Sequence, residues 1–160
     1  MKRRLIFMKN RDFRVRDQLE TFGVRVSALI IENQKLLLIY APHLDKYYLP
    51  GGALQVGEDS NKAVAREVLE EIGLHSQVGD LAYIVENQFN IKRHHYHSVE
   101  FLYFVNLLGQ APESIKEGTH KRHFVWLPIK ELTKIDCNPN FLAQDLIEWP
   151  GHVVHKIVQN

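Results

Sequence analysis

The chain has 160 residues, 45% of them apolar and 24% charged, enough for one globular domain with a full-sized core. Its 20 basic and 19 acidic residues leave a net charge of +1, so no global field marks it as a nucleic-acid or membrane binder. An anionic substrate must be met by local charge, and the single cysteine, Cys137, excludes an internal disulfide and suits a reducing compartment.

In chain order, residues 1–9 open with Lys2, Arg3 and Arg4 but hold only four consecutive apolar residues. A signal peptide needs roughly 7 to 15, so the expected location is cytoplasmic. With Lys9, Arg11, Arg14 and Arg16, residues 1–21 form a basic N-terminal extension. Such tails can bind nucleic acid, but a nearly neutral chain favours a solvated edge strand or an arm exchanged within a homodimer. No nucleic-acid or membrane partner is expected.

Residues 22–31 and 35–40 are rich in Val, Ile and Leu and flank Glu32-Asn33-Gln34, the pattern of a β-hairpin. Tyr47-Tyr48-Leu49-Pro50-Gly51-Gly52 reads as a strand end and a Pro-Gly turn, where glycines let backbone approach a ligand. Ser60 can cap a helix in which Val64, Val68 and Ile72 recur every four positions, with Ala65 and Leu69 widening the stripe. Gly73 stops this helix and Leu74 can pack back on its last turn. Further strands are expected over 78–86, 99–108 and 123–127. A second helix is expected over 139–149, with Asn138 as N-cap, Pro139 at its first position and Pro150-Gly151 beyond it.

The first helix carries the chemistry. Glu67, Glu70 and Glu71 stand at i, i+3 and i+4, so three carboxylates share one face, roughly opposite the apolar stripe. A solvated acidic face would carry basic partners four residues on, yet those slots hold Glu71, Leu74 and His75. Like-charge pairs at this spacing cost about 0.2 to 0.5 kcal/mol each. Arg66, four residues before Glu70, relieves part of this; the rest asks for a hard divalent ion with oxygen ligands, Mg²⁺ or Mn²⁺. In His94-His95-Tyr96-His97, alternation puts His95 and His97 on one face, but two ligands do not make a site. With Lys92 and Arg93 alongside, the group reads as a polar hairpin near a phosphate path.

Gly52, Glu58, Arg66, Glu67, Glu70, Glu71 and Gly73, with apolar Val68 and Leu74, fix the pattern G-x5-E-x7-R-E-U-x-E-E-x-G-U. Seven such identities recur by chance on the order of 10⁻⁹ to 10⁻⁸ per start position. The run resembles the Nudix box, the signature of hydrolases that cleave a nucleoside diphosphate linked to another moiety, and the preceding Leu49-Pro50-Gly51-Gly52 resembles its usual lead-in. The resemblance covers residues 22–149, within an expected hydrolase domain over 22–160. It implies an α/β class fold, an α/β/α sandwich with a mixed central β-sheet, and a Mg²⁺-dependent pyrophosphohydrolase, with Mn²⁺ able to substitute.

In that family the residues matching Glu67, Glu70 and Glu71 hold metal, often with a glycine carbonyl, here Gly52. Those matching Glu58 and Arg66 tie loop to helix, and Gly73 closes the box. The resemblance also implies catalytic roles for Glu70 and Arg66 and a general base in a loop before the last core strand. Glu117 is the candidate there, with Glu113 and His120 behind it. Glu86-Asn87-Gln88-Phe89 to His97 is similar to a subgroup with a His-Glu pair, but Ser98 stands where the glutamate belongs and Glu100 is the nearest replacement. No proline occurs between Gly73 and Pro112, so the downstream proline of ADP-ribose pyrophosphatases is absent, as are the coenzyme A and NADH motifs.

What remains is a MutT-like hydrolase of a nucleoside triphosphate or related nucleotide. Tyr47, Tyr48, Phe89 or Tyr96 are candidates to stack on a base, with core packing as the alternative for each, and Lys46, Lys92 or Arg93 are candidates to contact phosphate. Nucleotide sugars and dinucleoside polyphosphates are alternative substrates. A non-catalytic nucleotide-binding regulator is a further alternative, and the intact box argues against it.

Overall fold

A computed structural model describes residues 11–42, 45–117 and 120–159, with the side chains of residues 115–121 outside that description. The chain runs through β1 (Arg14–Arg16), β2 (Glu20–Leu29), β3 (Ile31–Glu32), β4 (Lys35–Ala41), β5 (Lys46–Tyr48), β6 (Gly51–Ala53) and helix α1 (Ser60–Ile72). It continues through β7 (Ser76–Ile91), β8 (His94–Leu107), β9 (Ser114–Glu117), β10 (His120–Pro128), a 3-10 segment (Ile129–Lys134), β11 (Cys137–Asn138), the one-turn helix α2 (Leu142–Asp145) and β12 (Val154–Gln159).

The strands form two mixed sheets. The first has the order β1-β2-β8-β7-β12, with β6 also on β2; the second has the order β11-β5-β4-β10-β9, with β3 on β4. β2 and β8 run parallel, β7 and β8 antiparallel, and β12 joins β7 in parallel. The expected turn forms at Asn33 and Gln34, both at positive φ, but the expected hairpin between 22–31 and 35–40 is cut to two residues a side: of the leading arm only Ile31–Glu32 pairs with β4, while β2 pairs with β8 in the first sheet.

Strand alternation divides the interior in two. Val26, Ala28 and Ile30 pack with Leu37 and Ile39 against α1 through Ala63, Val64, Val68 and Ile72. Leu29, Leu36 and Leu38 point the other way, onto Leu132, Leu142, Ala143 and Leu146 of the 3-10 segment and the α2 region. The layering is helix, sheet, helix, as the expected α/β/α sandwich requires, with two mixed sheets in the place of one.

Three further local expectations need correction. The helix expected over 139–149 shrinks to Leu142–Asp145, because Asn138 is extended and pairs with Tyr48 in β11, as the residue before a proline prefers. The N-cap of α1 is Asp59 and not Ser60, whose hydroxyl meets the Tyr103 hydroxyl at 2.7 Å. The α1 stripe widens on its Ala63 side, not through Leu69, which is 40% exposed. One feature lay beyond the sequence reading: Val154–Gln159 forms an edge strand. Arg14–Arg16 of the basic extension forms an exposed edge strand on β2, one of the two arrangements expected of it.

Candidate active site

The rotation of α1 decides where its carboxylates sit. Glu67 and Glu71 each precede a buried residue, Val68 or Ile72, and so lie about 100° from the core stripe, at the edge of the helix that faces β6. Only Glu70 points outward: its side chain is 58% exposed, against 12% for Glu67 and 15% for Glu71. The expectation that all three stand opposite the core is therefore corrected. Gly52 in β6 makes the close approach possible, since a Cβ there would fall on the Glu67 carboxylate. Gly73 ends the helix at φ 81° and donates to the Leu69 carbonyl at 3.0 Å.

Arg66 organises this edge. Its Nε and Nη2 donate to the two Glu58 oxygens at 2.8 and 3.0 Å, a two-pronged pair that fixes the loop before the helix. Its Nη1 donates to Glu67 at 2.7 Å and Glu70 at 3.2 Å, and its Nη2 also reaches the Ala53 carbonyl at 3.1 Å. Glu71 is held separately, by the Gly51 amide at 2.7 Å and by Arg122 of β10 at 2.6 Å. Arg122 escaped the sequence reading because only the folding of β10 onto β4 brings it to the helix.

The electrostatics follow from burial and pairing. Hydrogen bonds from Arg66 hold the Glu58 carboxyl below the usual carboxylate range, and the same contacts push the Arg66 guanidinium up. Burial raises Glu67 and Glu71; the Arg66 pair opposes it at the first, and the Gly51 amide with Arg122 at the second. Four carboxylates, Glu58, Glu67, Glu70 and Glu71, thus face two guanidiniums, Arg66 and Arg122. Among the described residues no three His, Cys, Asp or Glu side chains stand as a ready-made ligand group, and Arg66 Nη1 bridges two of the expected ligands. The donor set is oxygen-only, with four carboxylates crowded beside a bare glycine backbone, which fits a hard divalent cation.

Gly52→Ala is expected to shift Tm by no more than about 5 °C, because the Glu67 carboxylate can swing aside. The same displacement should lower kcat by about 10²-fold, as a misplacement near 1 Å does. Thermal melts and steady-state rates check the pair of outcomes.

Beside this edge lies a cavity of about 300 Å³ between the first sheet and the β5 and β11 strands. It contains two of the three expected substrate contacts, Tyr48 and Phe89. Arg93, the third, sits exposed in the two-residue turn between β7 and β8, outside the lining of this cavity. Arg14, Arg16 and Arg25 supply the cavity's positive charge instead. Glu100 lines it too, 8% exposed and taking a short hydrogen bond from the Ser27 hydroxyl. Arg25 connects the two regions: its Nε is 3.7 Å from Glu100, and its charge favours ionised Glu67. Of the expected base, Glu117, the structure describes only the backbone, at the end of β9 opposite His120 and not in a loop. Its side chain lies outside the described residues.

The family model for the NUDIX domain matches residues 21–149. The chain belongs to the Nudix hydrolase family, pyrophosphohydrolases that generally use divalent metal ions. It is 27% identical over 130 residues to an ADP-ribose pyrophosphatase of Methanocaldococcus jannaschii, covering 79% of this chain and 74% of that one. It is 30% identical over 104 residues to the diphosphoinositol polyphosphate phosphohydrolase 2 of Rattus norvegicus, covering 65% of this chain and 55% of that one, so the match spans about half of the mammalian protein. A solved NUDIX hydrolase from Nitrosomonas europaea superposes with a TM-score of 0.60 at 25% identity, over 79% of this chain and 87% of that one. Among the described residues no helix is long and apolar enough to cross a membrane.

Proposed function

We propose that residues 22–160 form a Mg²⁺-dependent hydrolase of a pyrophosphate bond in a nucleoside triphosphate or a related nucleotide, with Mn²⁺ able to substitute. The observation that carries this reading is the crowded carboxylate edge of α1, set beside a cavity that combines arginines with aromatic rings. Glu67, Glu70, Glu71 and the Gly52 carbonyl would hold the metal. Bound Mg²⁺ supplies phosphate charge neutralisation and a more acidic water.

The chain's own groups do the rest. Arg66 keeps Glu58 and Glu67 in place and, through Nη1, steadies Glu70, the carboxylate most open to substrate. The Gly51 amide and Arg122 fix both oxygens of Glu71. Glu117 is proposed to accept the proton of the attacking water; by β-sheet register its backbone lies opposite His120, two residues from Arg122. Tyr48 and Phe89 offer flat surfaces to a nucleobase, and the arginines of the cavity offer contacts to anionic groups. A cytoplasmic setting agrees with Cys137, whose buried thiol is unpaired and pushed up to about 12 by burial. The further partners proposed are small-molecule nucleotides and a second copy of the chain, with no nucleic acid or membrane.

Metal binding should depend on pH with a definite sign. Glu67 and Glu71 have raised pKa values in the folded chain, so their protonated forms stabilise it in acid, and that contribution is lost as pH rises through the raised values. Above them a divalent ion offsets the crowded charge, while below them protons compete with it. Mg²⁺ is expected to raise Tm more at pH 8 than at pH 5, read by thermal melts with and without the ion. Equal gains at both values would remove these carboxylates from the metal site.

A further inference from the structure

Asn87 is 6% exposed, and its Oδ1 finds no hydrogen-bond partner among the described residues. Its strand, β7, lies between β8 and β12, with Asn87 set opposite Ser98 on one side and Val158 on the other. The sheet therefore accounts for the backbone here but not for the side chain. Buried amides are normally satisfied, and one that is not asks for an explanation. Asn87 is part of the cavity wall, the side from which a group outside the chain would meet a small turn of its amide.

The same wall holds Phe89 and Tyr96, cross-strand partners whose rings lie 5.0 Å apart and within 4° of parallel. Two residues along β7 from the amide the wall thus carries a stacked aromatic pair. Arg14, Arg16 and Arg25 bring positive charge to the same space, and among the described residues the ion pairs of Arg14 and Arg25 are long: Arg14 is 3.9 Å from Asp12 and Arg25 is 3.7 Å from Glu100. A flat apolar wall, a buried amide acceptor and a cationic rim match a nucleobase joined to phosphates. A ring that bears only phosphates would need cations on every side and would have no use for the aromatic wall.

We infer that Asn87 is a specificity-determining residue of this cavity, its amide accepting a hydrogen bond from the edge of a nucleobase that lies against Phe89 and Tyr96. The arginines of β1 and β2 meet the anionic groups of the same molecule. This gives Arg14 and Arg16 a place in recognition of a small nucleotide. The inference rests on the proposed nucleotide hydrolase reading and deepens it by naming the group that would choose the base.

The test measures Kd by calorimetry for ADP, GDP, CDP and UDP in the presence of Mg²⁺, together with Tm. Wild type should prefer one base. Asn87→Leu, nearly the same shape without the polar end, should keep or raise Tm, since it removes an unsatisfied buried group. It should weaken binding of the preferred base about 10-fold or more and change the others little. Arg16→Gln should weaken all four alike and leave the order of preference intact.

A structural amide would give the opposite result: Asn87→Leu would lower Tm and leave the base order unchanged. That outcome overturns the inference, as does equal weakening of all four nucleotides, a wild type without base preference, or tighter binding of inositol hexakisphosphate that Asn87→Leu does not alter. If Asn87→Leu does not fold, Asn87→Ser carries the same loss of preference. Base preference is read from binding, so it is independent of turnover. A Glu70→Gln protein should keep the preference, and a chain that binds selectively through Asn87 but hydrolyses nothing would refute the hydrolase reading alone.

Discussion

Glu70→Gln is expected to lower kcat by a factor of about 10² or more while leaving Tm unchanged. The side chain is 58% exposed and, among the described residues, its one ion pair is with Arg66 at 3.2 Å, so the fold depends little on its charge. Glutamine keeps the length and the acceptor oxygen but removes the negative charge that the reaction needs when phosphate charge is neutralised. Glu71→Gln should show a similar fall in kcat with a larger structural effect, because Glu71 accepts from both Gly51 and Arg122. Steady-state kinetics beside thermal melts separate the two. Unchanged turnover in Glu70→Gln at equal Tm would contradict the assignment of this helix edge.

Glu117→Gln carries the largest expected effect. If Glu117 takes the proton from the attacking water, kcat falls by about 10² to 10⁴ with KM changed much less, the range for loss of a positioned general base. The substitution keeps size and removes basicity, so it separates proton transfer from contact. A fall confined to KM would make Glu117 a substrate contact. A silent Glu117→Gln with a crippled Glu113→Gln or His120→Ala would move the base to that neighbour.

How much of this was legible in the sequence depended on how far apart the parts lie along the chain. Arg66 and Glu70 stand four apart on one helix, so spacing placed their side chains within reach of one another, while the tie from Arg66 to Glu58 in the entry loop was implied by the Nudix-box resemblance. The same spacing could not give the rotation of α1 against β6, which puts Glu67 and Glu71 at the helix edge and leaves Glu70 outside. Arg122, Arg25 and Glu100 arrive from three different strands and become neighbours of the site only through sheet pairing. Of these, Glu100 came into view through the subgroup resemblance, as the nearest replacement for the glutamate absent at Ser98. The C-terminal helix failed because Asn138-Pro139 was read as a helix start, where the chain uses Asn138 as strand. β12 was visible in principle, since Val154, Lys156 and Val158 alternate with exposed His155, Ile157 and Gln159.

The most direct test of the central claim is a phosphorus-31 NMR assay of hydrolysis. Nucleoside triphosphates, ADP-ribose, nucleotide sugars, dinucleoside polyphosphates and diphosphoinositol polyphosphates would each be incubated with the protein in Mg²⁺ and in excess EDTA. Cleavage of a pyrophosphate bond in at least one nucleotide is expected with Mg²⁺, faster toward alkaline pH, and none in EDTA. Full activity in EDTA, or hydrolysis that survives Glu70→Gln and Glu71→Gln together, would contradict it.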